Sequence, residues 1–450
     1  NMIVSQDNSG DFVTIQGAID SVPANNTTPT LINIHNGTYT EIVEAHGKNN
    51  LLLRGQSRSG TVIAYANNGN LNANTHLEIV FKANANNVSL DNLTLDDTSG
   101  FGASPAEALM IESGAGKFIC NNVTIESYQD TMLANQNSSQ GYFNNCLIAG
   151  SVDFIWGGGN LFFTNCQVLW LTQGGEGPNP SPSSSDINSN GFDFVNCSLT
   201  TAAGIGNCLV GRTRGITNGN TVLIQCLVSP NIGGWSSDAL PIANFRNWYY
   251  GCSNLTATSA ITLSNGVQLA ANSANVGNAS SATSWLYGWT PALSPNITAQ
   301  PTNENVSAGG QISLTVGATG IPNPTYQWQL NGVSISSATN TTCVITNASA
   351  TNAGTYSVIV SNPSGIAVSS NAIVNVSPVS RPVLSAVFNG SGQLSITVAG
   401  GTVGPDYLVQ LSTNLTDWQT LLLTNSPPQP FTFTDTSYFS SRFYRVELLQ

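Results

Sequence analysis

Between Phe118 and Cys252 one short pattern returns six times: Phe118-Ile-Cys120, Phe143-Asn-Asn-Cys146, Phe162-Phe-Thr-Asn-Cys166, Phe194-Val-Asn-Cys197, Ile224-Gln-Cys226 and Tyr249-Tyr-Gly-Cys252. The Cys-to-Cys intervals are 26, 20, 31, 29 and 26 residues. A loose period in the twenties marks a solenoid, whose coils stack on one another and differ through their loops. Each coil then sets an aromatic and a Cys inward, and the neighbouring Asn suits a turn between sheets because it tolerates left-handed backbone. Upstream, short β-rich runs at 31–34, 51–53, 62–64, 77–81, 88–95 and 108–111 are separated by Asn/Gly turns. A single helical stripe, Phe12, Ile15, Ala18, Ile19 and Val22, predicts one short helix.

Seven of the eight Cys lie between Cys120 and Cys252. No Cys-x-x-Cys occurs and only three His are present, so metal spacing is missing and no metal or organic cofactor is expected. Buried thiols in a stack and disulfides between nearby coils, such as Cys120–Cys146 or Cys166–Cys197, fit the spacing equally.

A chain of 450 residues holds two to four domains. Charged residues make up 8%, against about a quarter in ordinary domains, and the net charge is −12. Lys48, Lys82 and Lys117 are the only Lys, so nothing neutralises a phosphate backbone and nucleic acid is excluded as a partner. A dense polyanion is repelled; a neutral or esterified polymer is not. No run of about 18 apolar residues exists, so no membrane span is expected. The first residues carry no basic stretch followed by an apolar one, and any secretion signal is expected to have been removed. Sequons at Asn36, Asn87, Asn92, Asn122, Asn137, Asn254, Asn296, Asn347 and Asn414 follow more readily from an Asn- and Thr-rich composition than from glycosylation. A secreted, extracellular or cell-surface protein is the expected class.

The texture changes near Leu293, where Pro291, Pro295 and Pro301 punctuate the chain. Tyr326-Gln-Trp328 and Asn352-Ala-Gly-Thr-Tyr356 in the segment 294–378 resemble immunoglobulin-like domains, with Trp328 as the core Trp and Tyr356 as the corner Tyr. Val358 stands where the second disulfide Cys usually sits, so packing alone must hold this sandwich. Residues 379–450 alternate in Leu394–Val398, Tyr407–Leu411 and Phe443–Val446, and the stretch Val409 to Trp418 resembles C-terminal β-sandwich modules of secreted bacterial proteins. These β-domains offer surfaces for self-association. The expected fold is all-β: a right-handed parallel β-helix over 1–293 followed by two small β-sandwich domains.

Four patches of the first segment resemble the pectin methylesterases (carbohydrate esterase family 8), in that family's order. They are Asp11 to Pro23, Asn36-Gly-Thr-Tyr-Thr-Glu-Ile-Val43, the pair Tyr128-Gln-Asp-Thr131 and Gly150-Ser-Val-Asp-Phe-Ile-Trp-Gly157, and Val210-Gly-Arg212. Independently of any name, Asp130 and Asp153 lie 23 residues apart, about one coil. Adjacent rungs then set their carboxylates roughly 5 Å apart. Two carboxylates so close do not ionise together easily, and one becomes nucleophile while the other keeps a proton. Arg212 is suited to hold the nucleophile ionised, and the Gln129 amide to meet an oxyanion. The resemblance implies that Asp153 attacks a methyl-ester carbonyl of galacturonate, that Asp130 is general acid and then base, and that the substrate is methyl-esterified pectin. Trp156, Phe154 and Thr131 are the expected substrate contacts.

Three positions depart from the family pattern. Pro105 replaces a second oxyanion Gln, Arg214 replaces a Trp, and Leu133 replaces a Tyr. One lost oxyanion donor costs about 2.7–4 kcal/mol of barrier. Glu107 either adds a carboxylate near the site or faces solvent, and solvent is the expectation. A catalytically impaired scaffold, acting as an extracellular filament or polysaccharide-binding protein, is the competing reading.

Overall fold

The computed structural model describes the chain except residues 72–77, 101, 103–104, 113–115, 136–138, 173–180, 183–189, 212–218, 236–244, 258, 379–381, 389, 392, 400–405, 425–429, 437–441 and 450. Two compact units result: Asn1–Leu293 with Thr319–Pro322, and Ser294–Ala318 with Asn323–Gln450.

The first unit is a parallel β-helix. Among the described residues its strands form sheets of eleven, nine and six, and the chain visits the three in turn. One coil runs Phe118–Asn121, Thr124–Glu126 and Met132–Ala134; the next runs Gln140–Asn144, Leu147–Gly150 and Ile155–Gly157. Every registered pair between these coils is parallel.

The turn from the eleven-stranded to the nine-stranded sheet takes only two residues. Its first is left-handed at Asn92, Asn122, Asn145, Asn165 and Asn196, with φ between 53° and 61°. Asn tolerates this region because its short polar side chain bonds locally. The Asn amides also link coil to coil: Asn122 Nδ2 donates to Asn92 Oδ1 at 2.7 Å, and Asn145 Nδ2 to Asn122 Oδ1 at 3.0 Å. The Asn92 and Asn122 sequons are therefore ladder positions. The second turn residue points inward, as Leu93, Val123, Cys146, Cys166, Cys197, Cys226 and Cys252.

All eight Cys are free, buried thiols, which decides between the two expectations. Cys146 N–H donates to Cys166 Sγ at 3.4 Å, and Cys166 N–H to Cys197 Sγ at 3.4 Å. Cys120 stands outside this column, for it pairs in register with Phe143 and Val123 takes the turn position of its coil. Beside the Cys column, Phe143, Phe163 and Phe194 stack with ring centroids 4.6 and 4.5 Å apart. Full burial of such a ring contributes about 1.5–3 kcal/mol. Ile15–Ser21 is the expected helix, shorter than its stripe because Thr14 caps it. The Glu41 carboxylate accepts from the N–H groups of Ile15 and Gln16 at 2.8 and 2.9 Å.

In the second unit Trp328 is fully buried, opposite Val358 in register, and its indole N–H donates to the Asn340 carbonyl at 2.9 Å. The Tyr356 hydroxyl donates to the Asn352 carbonyl at 2.8 Å, closing a tyrosine corner. Toward the end of the chain, two three-stranded antiparallel sheets bury Ile396, Val398, Tyr407 and Val409.

Candidate active site

The second kind of turn, from the nine-stranded to the six-stranded sheet, carries the candidate residues Asp130 and Asp153. It spans 127–131 in one coil and 151–154 in the next. Each turn has one left-handed non-glycine residue: Asp130 at φ 57° and Asp153 at φ 48°. These carboxylates therefore lie where the backbone itself demands a residue such as Asp. Close packing fixes the turn, since a side-chain carbon on Gly150 would lie 2.3 Å from Phe154 Cβ and 2.5 Å from Thr131 Oγ1.

Hydrogen bonds lock the two turns in register. Ala106 N–H donates to the Gln129 carbonyl at 3.1 Å, Asp130 N–H to the Val152 carbonyl at 3.0 Å, and Met132 N–H to the Phe154 carbonyl at 3.0 Å. Gln129 and Val152 form an isolated parallel bridge. Leu109 pairs with Met132, and Met132 with Ile155. Asp130 and Asp153 share one register, 23 residues apart. Glu107 lies on the coil before, beside this row and one residue out of register with Asp130, because the Ala108 and Leu109 N–H groups both donate to the Thr131 carbonyl. Exposure rises along the three: Glu107 is 1% exposed, Asp130 9%, and Asp153 is half-buried.

Glu107 thus corrects the expectation that it faces solvent. It opens the strand Glu107–Ile111, all five residues of which are buried. Burial pushes its carboxyl up to about 9, and the negative charge of Asp130 and then of Glu78 adds to the effect. Its Oε2 is buried without a hydrogen-bond partner. Asp97, at the end of the neighbouring strand, is pushed up to about 6 by burial, although the Ser99 N–H donates to its Oδ1 at 2.9 Å. The signal for Glu107 was present in the sequence as a Glu heading an apolar run.

Two expected substrate contacts face inward instead. Phe154 is fully buried in the core, edge-on to Trp170 with centroids 5.2 Å apart. Thr131 is fully buried too, and its hydroxyl donates to the Ala149 carbonyl at 3.2 Å. Both sit in the turns rather than in strands, where adjacent residues such as Phe154 and Ile155 both enter the core, so a simple alternation does not place them. Trp156 alternates outward. It is half-buried against Ile79, Met110 and Leu133, in register with Leu133 and Met110 along the six-stranded sheet. Arg212 and Arg214 lie outside the described residues. No cluster of three metal-ligating side chains occurs among the described residues.

Fold and site together define a class, the three-sheeted parallel β-helix that carries Asp residues at its coil turns. The sequence model described as Pectinesterase matches residues 1–207, and that described as Immunoglobulin domain matches 294–362. A probable pectinesterase of Arabidopsis thaliana is 30% identical over 207 residues, covering 45% of this chain and 70% of the relative. A pectinesterase of Petunia integrifolia is 32% identical over 170 residues, covering 38% of this chain and 44% of its own length. The chain spans less than half the length of the first curated relatives it matches, 44%, 30% and 29% in turn. Among solved structures, the pectin methylesterase of Yersinia enterocolitica superposes with a TM-score of 0.54 at 26% identity, over 62% of this chain and all of that one. The carrot pectin methylesterase gives 0.56 at 22% identity, over 64% and 93%, a likeness of fold. The chain belongs to the pectinesterase family.

Proposed function

We propose that this protein is a secreted esterase that hydrolyses the methyl esters of polygalacturonate. The observation that carries the reading is the pair Asp130 and Asp153, set by register on consecutive coils with the more open carboxylate at Asp153. In this reading Asp153 attacks the ester carbonyl and forms an acyl-enzyme anhydride. Asp130 gives its proton to the departing methoxide, then takes one from the hydrolytic water. The Gln129 side chain donates to the tetrahedral oxyanion, Arg212 orients Asp153, and outward-facing Trp156 stacks on a sugar face. Pro105 has no N–H or side-chain donor to add, so the rate rests on fewer oxyanion contacts.

The net charge of −12 favours highly methylated, near-neutral pectin over the de-esterified polymer and hastens release of the anionic product. Methanol release from highly methylated pectin, wild type against Asp153→Asn, tests the reading. Release that vanishes in the variant supports it. A folded wild type that releases none overturns it in favour of a polysaccharide-binding scaffold.

A further inference from the structure

Beside the two Asp of the coil turns stands one carboxyl more than the proposed chemistry uses. Glu107 lies on the coil before Asp130, whose charge acts on it more strongly than any other, and it is the most enclosed of the three. Among the described residues, the charges that act on it are acidic. Asp130 leads into Met132–Ala134, Glu78 precedes Ile79–Ala83, and Asp97 ends Thr94–Asp97. Asp153 is next along the row. The cation on the neighbouring strand, Lys82, is engaged elsewhere, with Glu44 at 3.7 Å and Glu112 at 3.4 Å. A carboxylate in that setting is shut off from water and faces acidic neighbours among the described residues, whereas a carboxylic acid there is neutral and brings a hydrogen-bond donor. The Oε2 atom, buried and without a partner, is where such a donor is available.

We propose that Glu107 is a positioning residue that keeps its proton through the reaction and donates it as a hydrogen bond to Asp130 whenever Asp130 is ionised. The inference rests on the esterase reading for its role, though not for the proton itself. In the acylation step the carbonyl carbon gains a bond to Asp153 and loses its bond to methoxide. The Asp130 proton passes to the methoxide oxygen, giving methanol and a carboxylate beside neutral Glu107. In deacylation water adds to the anhydride carbon, its proton goes to Asp130, and Asp153 leaves as carboxylate. Through both steps the Glu107–Asp130 pair never carries more than one negative charge. Here the neighbouring Pro105 supplies no donor, and Glu107 strengthens the row from behind.

Infrared difference spectra at pH 7 decide whether the proton is there. Asp193 is also a buried carboxyl and contributes its own band, so the readout is wild type minus Glu107→Gln. A protonated-carboxyl band present in that difference supports the proposal, and its absence overturns it. Followed against pH, the band's midpoint falls by about one unit or more in Asp130→Asn, which removes the neighbouring charge; an unmoved midpoint overturns the pairing. Methanol release adds a readout for the role. Glu107→Gln keeps the neutral-pH rate within about threefold, because an amide still donates, and loses the fall in kcat centred near pH 9. Glu107→Val lowers kcat at pH 7 about tenfold or more, without a matching change in KM. Equal kcat in the Val variant, or an unchanged alkaline limb in the Gln variant, overturns the positioning role. If the wild type releases no methanol, the esterase reading fails, and the infrared arms still decide the Glu107 proton.

Discussion

In the coils of Asp130 and Asp153, two of the three turns use the same left-handed backbone device and fill it with opposite chemistry. At one corner the left-handed residue is Asn92, Asn122, Asn145, Asn165 or Asn196; at the other it is Asp130 or Asp153. An amide both donates and accepts, so identical Asn side chains bond head to tail along the axis, as Asn145 to Asn122 to Asn92 does. A carboxylate only accepts, so stacked acids repel unless one holds a proton. The Asn corner therefore stores stability, and the Asp corner brings acids side by side, the setting in which carboxyl pKa values are driven apart.

The largest expected effect comes from exchanging the two chemistries at one position. Asp153→Asn turns an acid corner into an amide corner without disturbing the left-handed backbone, which Asn accepts as readily as Asp. Methanol release is expected to fall about 10⁴-fold, as when a nucleophile is removed elsewhere, while the thermal midpoint stays level or rises. A variant that unfolds instead breaks the comparison, because the turn then depends on the carboxylate for structure.

Next comes the pH dependence of stability, where the two corners should part clearly. Glu107 reaches about 9 and Asp97 about 6 in the folded protein, both by burial first, against roughly 4 in an unfolded chain. The folded state therefore binds these protons more tightly. Their contribution is fully present below about pH 4 and is lost as pH rises, through about 6 for Asp97 and about 9 for Glu107. Asp7, held down to about 2 chiefly by hydrogen bonds from Ser9 and Ser5, acts in the opposite sense, and its contribution is lost only as pH falls from about 4 toward 2. Calorimetry between pH 5 and 9 is expected to show stability declining by on the order of 4 kcal/mol, and Glu107→Gln should flatten most of that slope. The Asn corner has no proton to lose.

Much of this was readable from the chain before any coordinates. The Phe/Cys/Asn pattern foretold stacked coils and left-handed Asn turns, because those residues meet local demands that hardly depend on context. Cys120 misled, since its coil puts Val123 at the turn and the Cys three residues early, and only register shows that. Phe154 and Thr131 were expected at the substrate and lie in the core, for inward and outward positions near a tight turn do not follow a simple alternation in sequence. Glu107 escaped for a related reason. A lone Glu is normally solvated, and its burial comes from neighbours contributed by other coils, at Glu78, Asp97 and Asp130. Pairing partners set this corner, and pairing partners are long-range information.

At the amide corner, Asn122→Ala removes the bond to Asn92 and the bonds from Asn145 and Arg58, and it leaves Ala at φ 54°. Three hydrogen bonds at about 1 kcal/mol each and a left-handed penalty of about 1 kcal/mol predict a loss of about 4 kcal/mol. Denaturant unfolding measures it. Esterase activity of the folded fraction should be unchanged, which sharpens the division of labour between the corners.

The smallest effect tests whether a buried acid marks function wherever it occurs in this solenoid. Asp193 is fully buried on the eleven-stranded sheet, in register between Phe162 and Val222, and neither carboxyl oxygen has a hydrogen bond of good geometry. Burial drives its carboxyl far above the usual range. Unlike Glu107 it stands beside no such row. Its neighbours in register also belong to an apolar cluster with Ala279, Trp285 and Leu286, so its proton has nowhere to go. Asp193→Val should therefore stabilise the β-helix by about 2 kcal/mol, the cost of an unmet buried polar group, and leave methanol release unaltered. A rate that falls tenfold would mean that enclosure alone, without alignment to the turns, engages an acid in this molecule's chemistry. An unaltered rate with a raised midpoint assigns the reactivity of the Asp corner to the alignment of its carboxyls over successive coils, since burial is common to both places.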